Sequence, residues 1–267
     1  MLLNIDHISR YKFELPVKYG LQQLRKTPKS RDGQVVQSWN TQLEGAHIQT
    51  EFTDHHLNDV ALISFAPDAK EVVIKCHGVI ETDDRNGVVG KHRSFVPLWL
   101  FQRSTELTRA TTNVRRLTKG LRDLHENDIA LLHALSARIL ETVRYQTGGT
   151  DTSTTADMAI ERGLGVCQDH AHIFVAAARS MEFPARYVSG YLMMEDRVDQ
   201  DATHAWAEAH IDGIGWVGFD VSNAKSPDDR YVRVATGLDY RDAAPISGVR
   251  YGSGLETLSV DVRVEQQ

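Results

Sequence analysis

Cysteine is scarce in this chain. Its 267 residues include two, Cys76 and Cys167, too few for the disulfide framework that holds small secreted domains together. An excess of positive charge is missing as well. The 30 Lys and Arg face 36 Asp and Glu, for a net charge of -6 and a pI near 6.0, so there is no basic footprint for nucleic acid. No apolar run approaches the roughly 20 residues that cross a bilayer. Met1-Leu2-Leu3-Asn4-Ile5-Asp6 has neither the basic start nor the apolar stretch of a signal peptide. These absences set the expectation of a cytoplasmic protein with reduced thiols and no nucleic-acid or membrane partner. There is no internal repeat, low-complexity tract or heptad seam, so the sequence specifies no oligomeric state. The rest is ordinary for a globular protein, 41% hydrophobic and 25% charged, and long enough for one large domain or two modest ones.

Periodicity divides the chain. Residues 1–95 read as a small β-sandwich, with candidate strands at 5–13, 35–43, 46–53, 60–65, 71–77 and 79–82. Turn residues such as Arg31-Asp32-Gly33, Asn58-Asp59 and Asn86-Gly87 separate them. Alternation puts Cys76 on the face of Val72, Ile74 and Ile80, which makes it a core thiol. Residues 96–127 read as a polar connector whose basic run, Arg115-Arg116-Leu117-Thr118-Lys119, is a solvated face. Ile129, Leu132, Leu135, Ile139 and Val143 then mark a helix capped by Asn127 or Asp128 and ending at Gly148-Gly149. A short helix over 155–162, capped by Ser153 or Thr154, stops at Gly163. A third helix starts at Cys167 and runs to about Met181, with Ala171, Val175 and Ala178 as its inward stripe. Beyond Pro184 the period becomes two, predicting strands over 185–192, 205–212 and 216–220. Ala205, Ala207 and Ala209 alternate there with Trp206, Glu208 and His210, as in a half-buried strand. Helices followed by antiparallel strands make an α+β domain over 96–267.

Chemistry concentrates in Gly165-Val166-Cys167-Gln168-Asp169-His170-Ala171-His172. A glycine turn feeds a helix whose first turn holds Cys167. Helix N-termini carry partial positive charge and unpaired N–H groups, which favour a thiolate and hold a developing oxyanion. His204 lies 37 residues on (204 − 167), at a strand start on the same face as Trp206 and Glu208. Asp220 follows after 16 more (220 − 204), closing an apolar strand that can neighbour the first. A Cys, a His and an Asp so ordered can form a thiolate–imidazole–carboxylate relay, which points to cysteine-dependent acyl transfer. Taken singly, each has a plainer role: a buried cysteine, one surface or core histidine among 12, and an aspartate that starts a turn. Asp169 supports the first helical turn or contacts substrate, and Glu208 pairs with Arg186 or faces solvent. His170 and Cys167 alone are too few ligands for a metal site, and nothing calls for a cofactor. Asp83-Asp84-Arg85-Asn86-Gly87 lacks EF-hand spacing and is a turn.

Four blocks in order then resemble the bacterial transglutaminase-like superfamily: Gly165-Val166-Cys167-Gln168-Asp169-His170-Ala171, Pro184-Ala185-Arg186-Tyr187-Val188-Ser189-Gly190-Tyr191, His204-Ala205-Trp206-Ala207-Glu208 and Gly215-Trp216-Val217-Gly218-Phe219-Asp220. Residues 1–95 resemble the β-rich N-terminal domain of such proteins, and 235–248 their closing segment. The resemblance implies a papain-like α+β core with Cys167 as nucleophile, His204 as general base and acid, and Asp220 as orienter. It also implies attack on amide or peptide bonds of a peptide or protein substrate through a thioester. Two departures from the pattern stand out. Val221-Ser222-Asn223 replaces proline, threonine and asparagine, and Leu238 stands where arginine is usual. Both bear on the pocket around Asp220 and on substrate choice. Hydrolysis is the favoured outcome because water needs no second groove. The alternatives are cross-linking of glutamine to an amine, and a binding or scaffold module that keeps the relay unused.

Overall fold

Strict alternation begins the chain. In the computed structural model, which describes residues 1–252 and 254–267, strand β1 (Leu2–Val17) buries every second side chain from Leu3 to Phe13, as a strand packed on one face must. It is followed by β2 (Tyr19–Thr27), β3 (Gln34–Glu44), β4 (Ala46–Thr53), β5 (Asp59–Phe65), β6 (Ala69–Thr82) and β7 (Val88–Gly90). The helical middle holds α1 (Thr112–Thr118), α2 (Leu121–Leu124), α3 (Asp128–Thr142), β8 (Arg144–Tyr145), α4 (Ala156–Arg162), β9 (Leu164–Gly165) and α5 (Cys167–Ser180). The last part contains β10 (Ala185–Leu192), β11 (Asp199–Gln200), β12 (His204–Ile211), β13 (Gly215–Phe219), β14 (Tyr231–Gly237), α6 (Tyr240–Ala243), β15 (Ile246–Tyr251) and β16 (Glu256–Gln266).

Two sheets, ordered β11-β16-β1-β6-β3 and β15-β2-β5-β4, form the sandwich. Tyr11, Phe13, Leu24, Ile63, Phe65, Val72 and Ile74 fill it together with Cys76, which is buried as its alternation predicted. The expected strands 71–77 and 79–82 are one element, β6, running through Gly78. Strand β2 escaped the pattern because its buried face carries Gln22 and Lys26 among the apolar residues. The Lys26 ammonium is kept inside by donating to Ser9 Oγ at 3.0 Å.

The division at residue 95 needs correction. β15 pairs with β2, and β16 pairs with β1 from Leu3↔Gln266 to Phe13↔Glu256, so both late strands complete the sandwich. In exchange, β7 crosses to the edge of the third sheet, beside β13. The blocks 1–95 and 96–267 therefore interlock, because β1 and β2 need antiparallel partners that the first part of the chain does not supply.

The third sheet, β14-β10-β12-β13-β7, carries α5 on one face. Asn127 caps α3 through its side chain, accepting from Ala130 N–H at 2.8 Å, and the helix ends at Thr142, short of the glycines. Thr155, rather than Ser153 or Thr154, caps α4. Helix α5 is buried from Asp169 to Arg179 on all sides, not along one stripe, between α1, α3 and α4 and the sheet. Its alanines permit that close packing. Strand β12 is likewise covered on both faces, so Glu208 is fully buried rather than half-exposed.

Two side-chain amides dock the sandwich onto the free edge of β14. Gln34 donates from Nε2 to Arg233 O at 2.9 Å and accepts from Arg233 N at 2.8 Å. Asn58 repeats the arrangement on Thr236, with both contacts at 2.8 Å. Each amide offers one donor and one acceptor, as a neighbouring strand would, and so covers an edge that would otherwise be open.

Candidate active site

The site begins with a helix that starts without a conventional cap. Val166 has no side-chain oxygen to offer, so the Asp169 carboxylate folds back and accepts from Val166 N at 2.8 Å and from Thr150 Oγ1 at 2.7 Å. A methyl group at Gly165 would meet the Asp169 side chain at 2.7 Å, which requires glycine there. Of the two roles the sequence left to Asp169, supporting the first turn is the one seen. The backbone N–H groups of Cys167 and Gln168 have no acceptor among the described residues, as expected of a first turn. Cys167 is partly exposed there, against Ala171, Tyr187 and Ala205.

Strand register brings the other two residues in. Ala207 pairs with Phe219, so Asp220, one residue beyond, lies diagonally across from His204. His204 Nε2 and Asp220 Oδ2 are 2.6 Å apart. The carboxylate also accepts from Asn223 Nδ2 at 2.7 Å and from the Tyr231 hydroxyl at 2.8 Å, both on Oδ2. Trp206 stacks beside the imidazole, with centroids 6.2 Å apart. Cys167 lies close enough for its thiol to raise the His204 pKa, so Cys167, His204 and Asp220 converge.

Electrostatics hold this group in its charged form. Burial opposes a charge on His204, but the charge and hydrogen bond of Asp220, together with Cys167, raise its pKa above the ordinary histidine value. Burial also pushes Asp220 up, and this is outweighed by His204 and by the Asn223 and Tyr231 hydrogen bonds, so its pKa falls below the carboxylate norm. The result is a buried imidazolium–carboxylate pair. A cleft of about 510 Å³ opens over His204, walled by Tyr145, Met194, Asn223 and Tyr231 and rimmed by Glu195 and Arg197.

The neighbouring histidine does other work. His170 is bonded through Nδ1 to Ser222 Oγ and through Nε2 to Val143 O, both at 2.8 Å, and burial lowers its pKa. It therefore ties α5 to the end of α3 and to the loop after β13. The departures from the family pattern fall into place around it. Val221 packs in the core, Ser222 holds His170, and Asn223 keeps its bond to Asp220. Leu238 replaces an arginine side chain with an apolar one and uses its backbone, accepting from Arg179 at 2.7 Å and donating to Asp242 at 2.9 Å. Glu208 does pair with Arg186, at 2.6 Å, and with Arg233 as well, at 2.7 Å.

Tyr231 is the residue at this site that sequence reasoning missed. Its signal was the alternation in Tyr231-Val232-Arg233-Val234, which marks β14 directly after the turn that follows Asp220.

The fold and this arrangement define a class, and comparison with known proteins agrees. Residues 115–221, which include all three converging side chains, match the model of the transglutaminase-like superfamily, and that segment belongs to it. Residues 3–81 match the bacterial transglutaminase-like N-terminal region, which spans the sandwich apart from its late strands. The uncharacterized protein ML0607 of Mycobacterium leprae is 26% identical over 275 residues, 98% of each chain. The uncharacterized protein Rv2569c of Mycobacterium tuberculosis is 35% identical over 147 residues, 51% of this chain and 46% of that one. A crystal structure of a candidate cysteine protease from Cytophaga hutchinsonii superposes with a TM-score of 0.79 at 21% identity, covering 100% of this chain and 91% of that one. At that identity the likeness is one of fold.

Proposed function

We propose that this protein is a cysteine-dependent acyl-transfer enzyme that hydrolyses amide or peptide bonds in a peptide or protein. The observation that carries this reading is the buried His204–Asp220 pair, fixed at 2.6 Å beside a cysteine at a helix N-terminus. The Cys167 thiolate attacks the substrate carbonyl carbon, and the first-turn N–H groups of α5 face the oxyanion that forms. The carbon–nitrogen bond breaks, and the departing amine takes the proton carried by His204, leaving a thioester. Water then adds to the thioester carbonyl as neutral His204 takes its proton. The carboxylic acid leaves, and thiolate and imidazolium return together. Asp220 keeps Nε2 protonated throughout and aims the other ring nitrogen at the thiol.

The cleft over His204 gives water a route to the imidazole. Mass spectrometry of an acid-quenched reaction with an activated peptide amide tests the reading. An acyl adduct on Cys167 that decays to free acid is the expected result. Stable incorporation of a labelled primary amine would overturn hydrolysis in favour of transamidation. A Cys167 no more reactive to iodoacetamide than buried Cys76 would leave a non-catalytic module.

A further inference from the structure

Away from the thiol, a second cavity, of about 260 Å³, lies where the β2–β3 turn meets the third sheet. Six basic side chains line it: Lys29, Arg31, Lys91, Arg93, Arg186 and Arg233. Only three carboxylates answer them. Asp59 holds Lys29 at 2.8 Å, Asp32 holds Arg93 at 2.8 Å, and the buried Glu208 is shared by Arg186 and Arg233. Arg31 and Lys91 have no ion-pair partner among the described residues.

The arginines are set rather than loose. The Arg186 guanidinium lies 3.8 Å from the centre of the Trp216 ring, and among the described residues only its Nε is hydrogen-bonded, which leaves its terminal nitrogens as unused donors at the cavity wall. Arg31 is carried on a turn closed by two backbone bonds to Gln34, and Gln34 is itself anchored to β14. Its Nε is buried without an acceptor among the described residues. Burial lowers the Arg31 pKa to about 10, with Glu208 opposing and Arg186 adding to the shift. Positive charge in excess around a partly buried cavity is unfavourable unless something negative joins it, and planar guanidinium forks suit oxyanions. The volume falls just below the roughly 300–1,000 Å³ of pockets for drug-sized ligands, so the occupant is small.

We propose that this cavity binds a small multivalent oxyanion, of phosphate or polycarboxylate type, between Arg31, Arg186, Arg233 and Lys91, and that the anion fastens the sandwich to the third sheet. The site does not depend on Cys167. Its walls are the β2–β3 and β4–β5 turns, β7 and the segment after it, Phe101, and strands β10, β13 and β14, and none of the three converging residues lines it.

Calorimetric titration with inorganic phosphate and, separately, with citrate tests this, at ionic strength held constant with chloride. Saturable binding of at least one probe is expected, accompanied by a rise in melting temperature. Phosphate binding without citrate binding identifies a phosphate-bearing ligand, and the reverse identifies a polycarboxylate. Arg31→Gln should weaken binding by about tenfold or more, and Lys91→Gln, at an exposed position that folding does not need, should weaken it as well. Cys167→Ala should bind as the wild type does. No saturable binding of either probe overturns the proposal, as does an unchanged affinity in both the Arg31 and Lys91 variants.

Discussion

Two charged clusters share one face of β12 and solve different problems. At the strand's start, one imidazolium meets one carboxylate, and two neutral donors, Asn223 and Tyr231, complete it. Four residues further on, Glu208 meets two arginines directly, with a third, Arg31, near enough to feel its charge. The first cluster balances its charges and borders a cleft beside a thiol. The second has more positive than negative charge and borders a cavity between sheets. A buried carboxylate therefore does not by itself mark a reacting centre. What sets Asp220 apart from Glu208 is its partner, an imidazole that gains and loses a proton, where an arginine holds its proton throughout.

That contrast breaks most visibly at Asp220. Asp220→Asn should leave the fold intact, by circular dichroism, and lower kcat/KM for amide hydrolysis by about 10³–10⁴-fold, as loss of the orienting carboxylate does in other triads. A fall below about tenfold would place Asp220 with Glu208 as a structural acid. Glu208→Gln should act on stability instead. It strips the carboxylate from two buried arginines, and urea unfolding should show a loss of about 3–5 kcal/mol. Tyr231→Phe removes one neutral donor to a buried charge, worth about 1.5–3 kcal/mol, and should lower turnover by about ten- to a hundredfold while leaving the arginine cluster undisturbed.

The smallest effect should be on the pH dependence of stability. His204 has a raised pKa, so its contribution is fully present below the ordinary histidine value and is lost as pH rises through the elevated one. Asp220 has a depressed pKa, so its share is present above the ordinary carboxylate value and is lost as pH falls through the lowered one. Melting temperatures of wild type and His204→Ala should therefore differ most in the middle of the pH range and converge at both ends. A difference that is flat with pH would mean that the pair does not titrate as described.

The residues of the site were legible because each carries a local signal. Cys167 follows a glycine turn at a helix start, and His204 and Asp220 sit at the two ends of a hairpin whose register follows from alternation. Tyr231, and Arg233 as the second partner of Glu208, were harder to see. Their partners come from separate strands, and pairing between strands is not written in local periodicity. The sandwich was legible as a type of structure but not in its membership. Lys26 and Gln22 face inward on β2, which blurs its period, and β15 and β16 lie almost the full chain length from the strands they join.

That last pairing has a consequence for how the molecule is made. β1 leaves the ribosome well before β16, the strand that covers one of its two edges. Until then, one side of a long apolar ribbon stays bare, an invitation to neighbouring chains. The helical unit, whose contacts are nearer in sequence, can mature during this interval, so that closure of the sandwich follows it.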